Sequence, residues 1–386
     1  MKILALTAIR SDYDLMSGVY KYLKEDKSLE LKLLVTGAHL AKASGYSVSE
    51  IEKDNFDILL KIESLIDADS LSSRIKSASI FLQNSIDVVA SYAPDLIVYA
   101  GDREEVMVGA LLGAYLNIPT AHFFGGDHAQ DGHVDNPVRH AVSKLSTTHF
   151  VTIEEHRRRL LKMGEPRERI FVIGNPALDR FYTEKIIMKK YLMDSFEHKN
   201  FKKFALLIFH PITEEIDTAH EYFKNILDEL DKKGINTFVS YPNVDPGNSK
   251  IIKIIENYQN NDNFIFYKNL SRQLFVSLFK NSEFIIGNSS AGILEAASIP
   301  IPAINVGKRQ LGRFSGGNVL FCDGDKKSIS DAINIAMSQK FLSSIKIMKN
   351  PYGDGNSSLK AYKYIKSISF QKMMFKKEDA LEMKNG

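Results

Sequence analysis

EFIIGNSSAGILEAA (283–297) decides the fold: a short apolar run, a polar turn through Gly287, Asn288, Ser289 and Ser290, then helix-favouring residues from about Ala291. Strand, turn and helix in that order make a βα unit, whose strand is buried on both faces and so carries an unbroken apolar run. The first N–H groups of a helix lack partners and its dipole favours anions, so this turn suits a phosphate. Ser289 and Ser290 would add two hydroxyls, and Glu295, about one turn further along, could accept hydrogen bonds from a ribose diol. Either serine might serve simply as a helix cap, although a cap does not require the whole GNSSAG stretch.

Working outward, the same alternation of apolar runs and helical periodicity fills the chain. In the first half the expected strands are 2–9, 29–37, 95–101, 119–126, 148–153 and 169–175; in the second they are 204–210, 237–243, 263–269, 283–290, 302–307 and 318–324. Such alternation predicts parallel sheets made of βαβ units, and two comparable halves imply two Rossmann-like α/β domains. A length of 386 residues agrees, because a single core stops growing at roughly 250 residues. Asn175-Pro176 and the polar stretch after it place the junction near 176. The expected domains are thus 1–176 and 177–365, with 366–386 a terminal helix and tail packing back on the N-terminal domain.

In open α/β sheets ligands bind beyond the carboxyl ends of the strands, and those ends are polar here. Arg10 follows the first strand, and YAGDREE (99–105) delivers Asp102 to the third strand end, either as a helix cap or as a site carboxylate. HFFGGDHAQDGHVDNPVRHAVSKLS (122–146) is the densest cluster. In it Asp135 or Asn136 would cap a helix with Pro137 at its first position, placing Arg139 in the first turn, where a cation is disfavoured unless an anion is near. In the second half His210, the turn containing Asn243 and Asp245, and KRQLGRFSGGN (308–318) with Arg309 and Arg313 sit at equivalent ends. The two arginines suit a diphosphate.

Composition narrows the partners. Lys and Arg total 50 against 47 Asp and Glu, a net charge of +3, so bulk charge demands neither nucleic acid nor a membrane surface. No apolar run approaches the roughly 18 residues of a membrane span, and Arg10 and Asp12 interrupt the N-terminal run where a signal peptide would continue. A cytoplasmic protein is expected. The single cysteine, Cys322, excludes an internal disulfide framework and multi-cysteine metal sites. His122, Asp127, His128 and His133 fit no recognised metal-ligand spacing, so neither a metal nor a cofactor is expected.

Taken in order, IRSDY (9–13), GDR (101–103), HFFGGD with DNPVRHAVSKLS (122–146), GNPALD (174–179), FHP (209–211), YPNVDPG (241–247), GNSSAGILE (287–295) and GKRQLGR (307–313) resemble the hydrolysing UDP-N-acetylglucosamine 2-epimerases of sialic-acid and related nonulosonic-acid synthesis. The resemblance runs through nearly the whole chain and implies a GT-B fold, with two Rossmann-like domains facing across a cleft. It implies hydrolysis of a UDP-2-acetamido sugar through a glycal, giving UDP and the free 2-epimer, by a homodimer or homotetramer. The substrate would be UDP-N-acetylglucosamine or UDP-2,4-diacetamido-2,4,6-trideoxyglucose on the route to legionaminic acid. Asp102, Asp135, Arg139, His210, Asn243, Ser289, Ser290, Glu295 and Arg309 fall on positions that look like the family's binding or catalytic set.

Phe124 and Leu15 stand where the sialic-acid enzymes are expected to carry Glu and Lys, so Asp127 or Asp131 is a candidate for the missing carboxylate. The more apolar surroundings would suit the diacetamido sugar. Two other functions share these motifs: a GT-B glycosyltransferase with a UDP-sugar donor, which needs an acceptor to turn over, and a non-catalytic UDP-sugar binding protein.

Overall fold

The alternating pattern resolves into two parallel sheets in the computed structural model, which describes residues 1–42, 45–66, 71–128, 134–196, 201–242, 247–268 and 270–376. The first sheet contains β1 (Lys2–Thr7), β2 (Glu30–Thr36), β3 (Ile58–Ile62), β4 (Leu96–Ala100), β5 (Thr120–Phe123), β6 (Thr148–Val151) and β7 (Ile170–Val172). The second contains β8 (Ala205–Ile208), β9 (Thr237–Ser240), β10 (Phe264–Tyr267), β11 (Ile285–Gly287), β12 (Ala303–Val306) and β13 (Val319–Cys322). Every apolar run read as a strand is one, and each stops short of its expected C-terminal end. The polar and glycine residues there leave the ladder and form the loops that carry the candidate site.

Strand order is β3-β2-β1-β4-β5-β6-β7 in one sheet and β10-β9-β8-β11-β12-β13 in the other. Both place a topological switch beside their first strand, between β1 and β4 and between β8 and β11. In the first sheet Ile3, Ala5, Leu33, Val35, Leu96 and Val98 enter one core, while Leu4, Leu6, Leu34, Ile97 and Tyr99 enter the core on the opposite face. That two-residue alternation with both faces buried explains the unbroken apolar runs. The missed strand, β3, lies at an edge with most of its residues half-buried and Lys61 exposed, so its run, ILLKI, is short and broken by a charge.

The described residues form two compact units, one of 1–128, 134–179 and 355–376, the other from Arg180 to Asp354. The first unit thus breaks off at Asp179 and resumes at Gly355. Asp179 holds the returning chain: its carboxylate accepts from the backbone N–H of Ser357 at 3.0 Å and of Ser358 at 2.7 Å, starting the Ser357–Ser367 helix. That helix packs on the Arg10–Glu25 helix, where Tyr362 stacks on Tyr22 and donates to Asp26 at 2.8 Å.

Farther on, Arg169 donates to the carbonyls of Met373 and Phe375. Lys376 pairs at 2.7 Å with Glu165, a fully buried carboxylate also held by His149 and Lys144. Burial alone would raise the Glu165 pKa, but the hydrogen bond from His149 and the charge and hydrogen bond of Lys376 bring it down to about 2. Among the described residues no helix is long and apolar enough to cross a membrane.

Candidate functional site

In the second unit β11 ends at Gly287, whose φ of 132° lies in the left-handed half of the map; a Cβ there would sit 2.0 Å from the Ile208 carbonyl oxygen. Only glycine fits that approach. The turn that follows is organised by Asn288, which the sequence reading passed over. Its buried amide accepts from the His210 N–H at 2.8 Å and donates to the His210 carbonyl at 2.7 Å. The carbonyl of Asn288 accepts from Arg309 Nη1 at 3.1 Å and from Gln310 Nε2 at 3.2 Å, and Gln310 Oε1 accepts from Arg313 at 3.2 Å. One residue thus gathers His210, Arg309 and Arg313 around the GNSS turn.

Ser289 is the N-cap, its hydroxyl accepting from Ala291 N at 3.3 Å, and the helix is the single short segment Ser290–Leu294. Glu295 closes that helix and pairs with Arg180 at 2.6 Å. Its other oxygen, Oε2, is buried without a hydrogen-bond partner among the described residues, an acceptor available to a ligand hydroxyl. Burial, and after it the Arg309 charge, lowers the His210 pKa to about 4. His210 is therefore neutral at pH 7, a hydrogen-bonding group rather than a proton donor. Replacing Asn288 by alanine is expected to cost about 2–4 kcal/mol in urea unfolding, because it leaves the backbone N–H and carbonyl of His210 without their partner.

In the first unit Arg139 is the hub. Its guanidinium binds Asp102, binds Asp127 Oδ2 at 3.1 Å, and donates to the Phe124 carbonyl at 3.3 Å, with only 7% of the residue exposed. Asp127 Oδ1 lies 3.3 Å from His156 Nε2, and its loop passes so close to the Glu154–Lys162 helix that a Cβ on Gly126, at φ 73°, would stand 2.3 Å from the His156 carbonyl oxygen. Asp102 is not a cap. Arg103 takes that position and turns to its own helix, 3.2 Å from Glu105, which leaves the Asp102 carboxylate to Arg139.

Several expected placements change. Neither Asp135 nor Asn136 is the cap, and Pro137 is not at the first position: the helix runs Asp135–Leu145 with Val134 as N-cap, so Asp135 is its first residue and Pro137 its third. Asp135 is exposed there, a favourable first-turn charge, and does not join the Asp102–Asp127–Arg139 cluster. Arg10 also lies outside that cluster, 3.3 Å from Glu50 and 3.8 Å from Asp14. Asp131, His133, Asn243 and Asp245 lie outside the described residues. His156 and Arg180 were missed as well; the first follows a strand end like the residues that were found, whereas nothing near Arg180 in sequence points to Glu295. Among the described residues no three His, Cys, Asp or Glu side chains are grouped to hold a metal ion.

The sequence model of a family described as UDP-N-acetylglucosamine 2-epimerase matches residues 21–366. The chain is 34% identical over 379 residues to the UDP-N,N'-diacetylbacillosamine 2-epimerase (hydrolyzing) of Legionella pneumophila, covering 98% of this chain and 99% of the relative. It is 32% identical over 343 residues to a UDP-N-acetylglucosamine 2-epimerase of Neisseria meningitidis, covering 87% and 88%. In fold it is similar to the crystal structure of UDP-GlcNAc 2-epimerase from Neisseria meningitidis bound to UDP-GlcNAc, with a TM-score of 0.81 at 19% identity over 95% of this chain and all of that one. That structural likeness, of GT-B-like type, concerns the fold alone. With the family matched over most of its length and a relative one-third identical from end to end, the chain belongs to the UDP-N-acetylglucosamine 2-epimerase family.

Proposed function

We propose that this protein is a hydrolysing UDP-sugar 2-epimerase, converting a UDP-2-acetamido sugar and water to UDP and the free 2-epimer in nonulosonic-acid or surface-polysaccharide synthesis. The observation that carries the reading is the pair of carboxylates, Asp102 and Asp127, held on one buried guanidinium, Arg139. An arginine partner keeps a carboxylate ionised and fixes its direction, which is what abstraction of a C2 proton requires.

In this reading one carboxylate takes the C2 proton, the C1–C2 double bond forms, and the C1–O bond breaks with its electron pair passing to UDP. Water then adds at C1 of the glycal while a proton returns to C2 on the opposite face. Asp127 and His156, 3.3 Å apart, supply a route for that second proton. Arg309 and Arg313, with Ser289 and Ser290, would offset the charge developing on the diphosphate, Glu295 Oε2 would accept from the ribose, and neutral His210 would accept a hydrogen bond from substrate. Arg10, Asn243 and Asp131 belong to the same proposed set.

The preferred substrate in this proposal is UDP-2,4-diacetamido-2,4,6-trideoxyglucose, also called UDP-N,N'-diacetylbacillosamine. Two relatives are named for that sugar, the Legionella enzyme and one of Campylobacter jejuni at 33% identity over 343 residues. Phe124, partly buried against the first core, gives the neighbourhood of Arg139 an apolar wall. Incubation with each UDP-sugar in D2O, followed by NMR and mass spectrometry, tests the reading. Free 2-epimer with one deuterium at C2, plus UDP, is expected without any acceptor. A product still linked to UDP, or UDP release without deuterium at C2, would overturn it, and preference for UDP-N-acetylglucosamine would overturn the substrate assignment.

A further inference from the structure

His122 lies on β5, fully buried and outside the set of groups assigned to substrate. Its Nε2 is 2.8 Å from the Gly101 carbonyl oxygen. A carbonyl only accepts, so Nε2 carries the proton and Nδ1 is left as an acceptor. Nδ1 lies 3.2 Å from the Ser143 hydroxyl, whose one proton is shared between Nδ1 and the Arg139 carbonyl at 2.9 Å. The ring therefore spans from the residue preceding Asp102 to the helical turn that follows Arg139.

The loop bearing Asp127 closes over the same contact. A Cβ on Gly125 would stand 3.1 Å from His122 Nδ1 and 3.2 Å from Ser143 Oγ, so the backbone leading to Asp127 rests directly on this hydrogen bond. Asp102, Asp127 and Arg139 come from separate segments, and the His122 ring touches each segment: Gly101, one residue before Asp102; Gly125, two before Asp127; and Ser143, one helical turn after Arg139. Burial lowers its pKa to about 3, so it adds no charge beside the guanidinium. An apolar ring could fill the volume but could not hold Gly101 and Ser143 at a fixed separation.

We propose that His122 is a positioning residue that sets the distance and orientation of Asp102 relative to Arg139 through Gly101 and Ser143. The inference rests on the reading that this pair works on the sugar. A misplacement of about 1 Å at reacting groups costs on the order of a hundredfold in rate, so His122→Phe should lower kcat by about that factor with KM and UDP affinity nearly unchanged. His122→Gln, which can still donate to Gly101, should recover about tenfold of the loss, and Ser143→Ala should cost little further in the His122→Phe background.

A crystal structure of His122→Phe provides a readout independent of turnover: the Asp102–Arg139 pair should open beyond about 4 Å, the limit of an ion pair. If His122→Phe does not fold, Ser143→Ala and His122→Gln carry the test. An unchanged pair, or unchanged kcat in Ser143→Ala and in either folded His122 variant, overturns the proposal. Asp102→Asn separates the two levels. Normal turnover by Asp102→Asn sinks the reading of the pair itself, whereas an inactive Asp102→Asn beside fully active His122 variants sinks only the positioning role.

Discussion

Arg139→Leu is expected to lower turnover by about a thousandfold or more and stability by about 3–5 kcal/mol, the cost of removing one partner from a buried ion pair. Arg139 is buried and its two carboxylate partners are only partly exposed. Without the guanidinium, Asp102 and Asp127 face each other with no compensating charge, and one of them must take up a proton to relieve the repulsion. Arg139→Lys retains the charge but not the fork that serves both carboxylates, so intermediate losses are expected. The double variant Arg139→Leu/Asp102→Asn distinguishes stability from chemistry: urea unfolding should recover much of the lost stability while kcat stays low. Recovery of kcat in that variant would show that the carboxylate–guanidinium pair does not act on substrate.

Acid lability is the second large effect. His122 and His210 have pKa values lowered to about 3 and about 4, burial being the first cause in each, and burial lowers that of fully buried His149 as well. In the unfolded chain each takes up a proton near pH 6.5, whereas in the folded protein His122 and His210 stay neutral down to their lowered values and His149 takes up its proton later than it does unfolded. The unfolded state therefore binds more protons as pH falls below 6.5, and each histidine removes up to about 1.4 kcal/mol of stability per pH unit. The loss ends for each only when pH falls through its folded value.

Glu165 does not contribute in the upper part of this window. Its lowered pKa supplies stability that is fully present above about 4.5 and is lost as pH falls toward about 2. Glu105 and Glu215, raised by burial, act in the opposite sense and offset part of the histidine effect. Urea unfolding between pH 7 and 5 should show a net decline, and His122→Gln should flatten it by close to one proton. A flat profile for the parent chain would show that these histidines titrate normally in the folded state.

The parts of the fold that were legible in sequence are those where a local pattern is sufficient. Two-sided burial writes continuous apolar runs such as LIVYA in β4, while β3, an edge strand with exposed Lys61, writes only the interrupted ILLKI. Strand ends showed where polar side chains collect, so Asp102, Arg139, His210 and Arg309 stood out as candidates. Their partners did not, because the pairing is long-range: Asp102 with Arg139, Asn288 with His210, and Arg180 with Glu295 join residues far apart in the chain. Asp135 is ambiguous because a carboxylate at a helix start looks the same in sequence whether it serves a ligand or the helix dipole. His122 was weighed only as a metal ligand, since sequence does not show that its ring turns inward to Gly101.

The return of the chain to the first unit at Gly355 fixes the order in which the molecule can be completed during synthesis. The six-stranded unit is continuous from Arg180 to Asp354 and has every strand in hand before the ribosome reaches the Ser357–Ser367 helix. The seven-stranded unit, although translated first, leaves the ribosome with Asp179 uncapped, with Tyr22 and Tyr13's helix lacking its cover, and with buried Glu165 lacking Lys376. The half begun first is thus the half finished last, and a nascent chain that stops short of residue 376 lacks the last cation of that buried cluster.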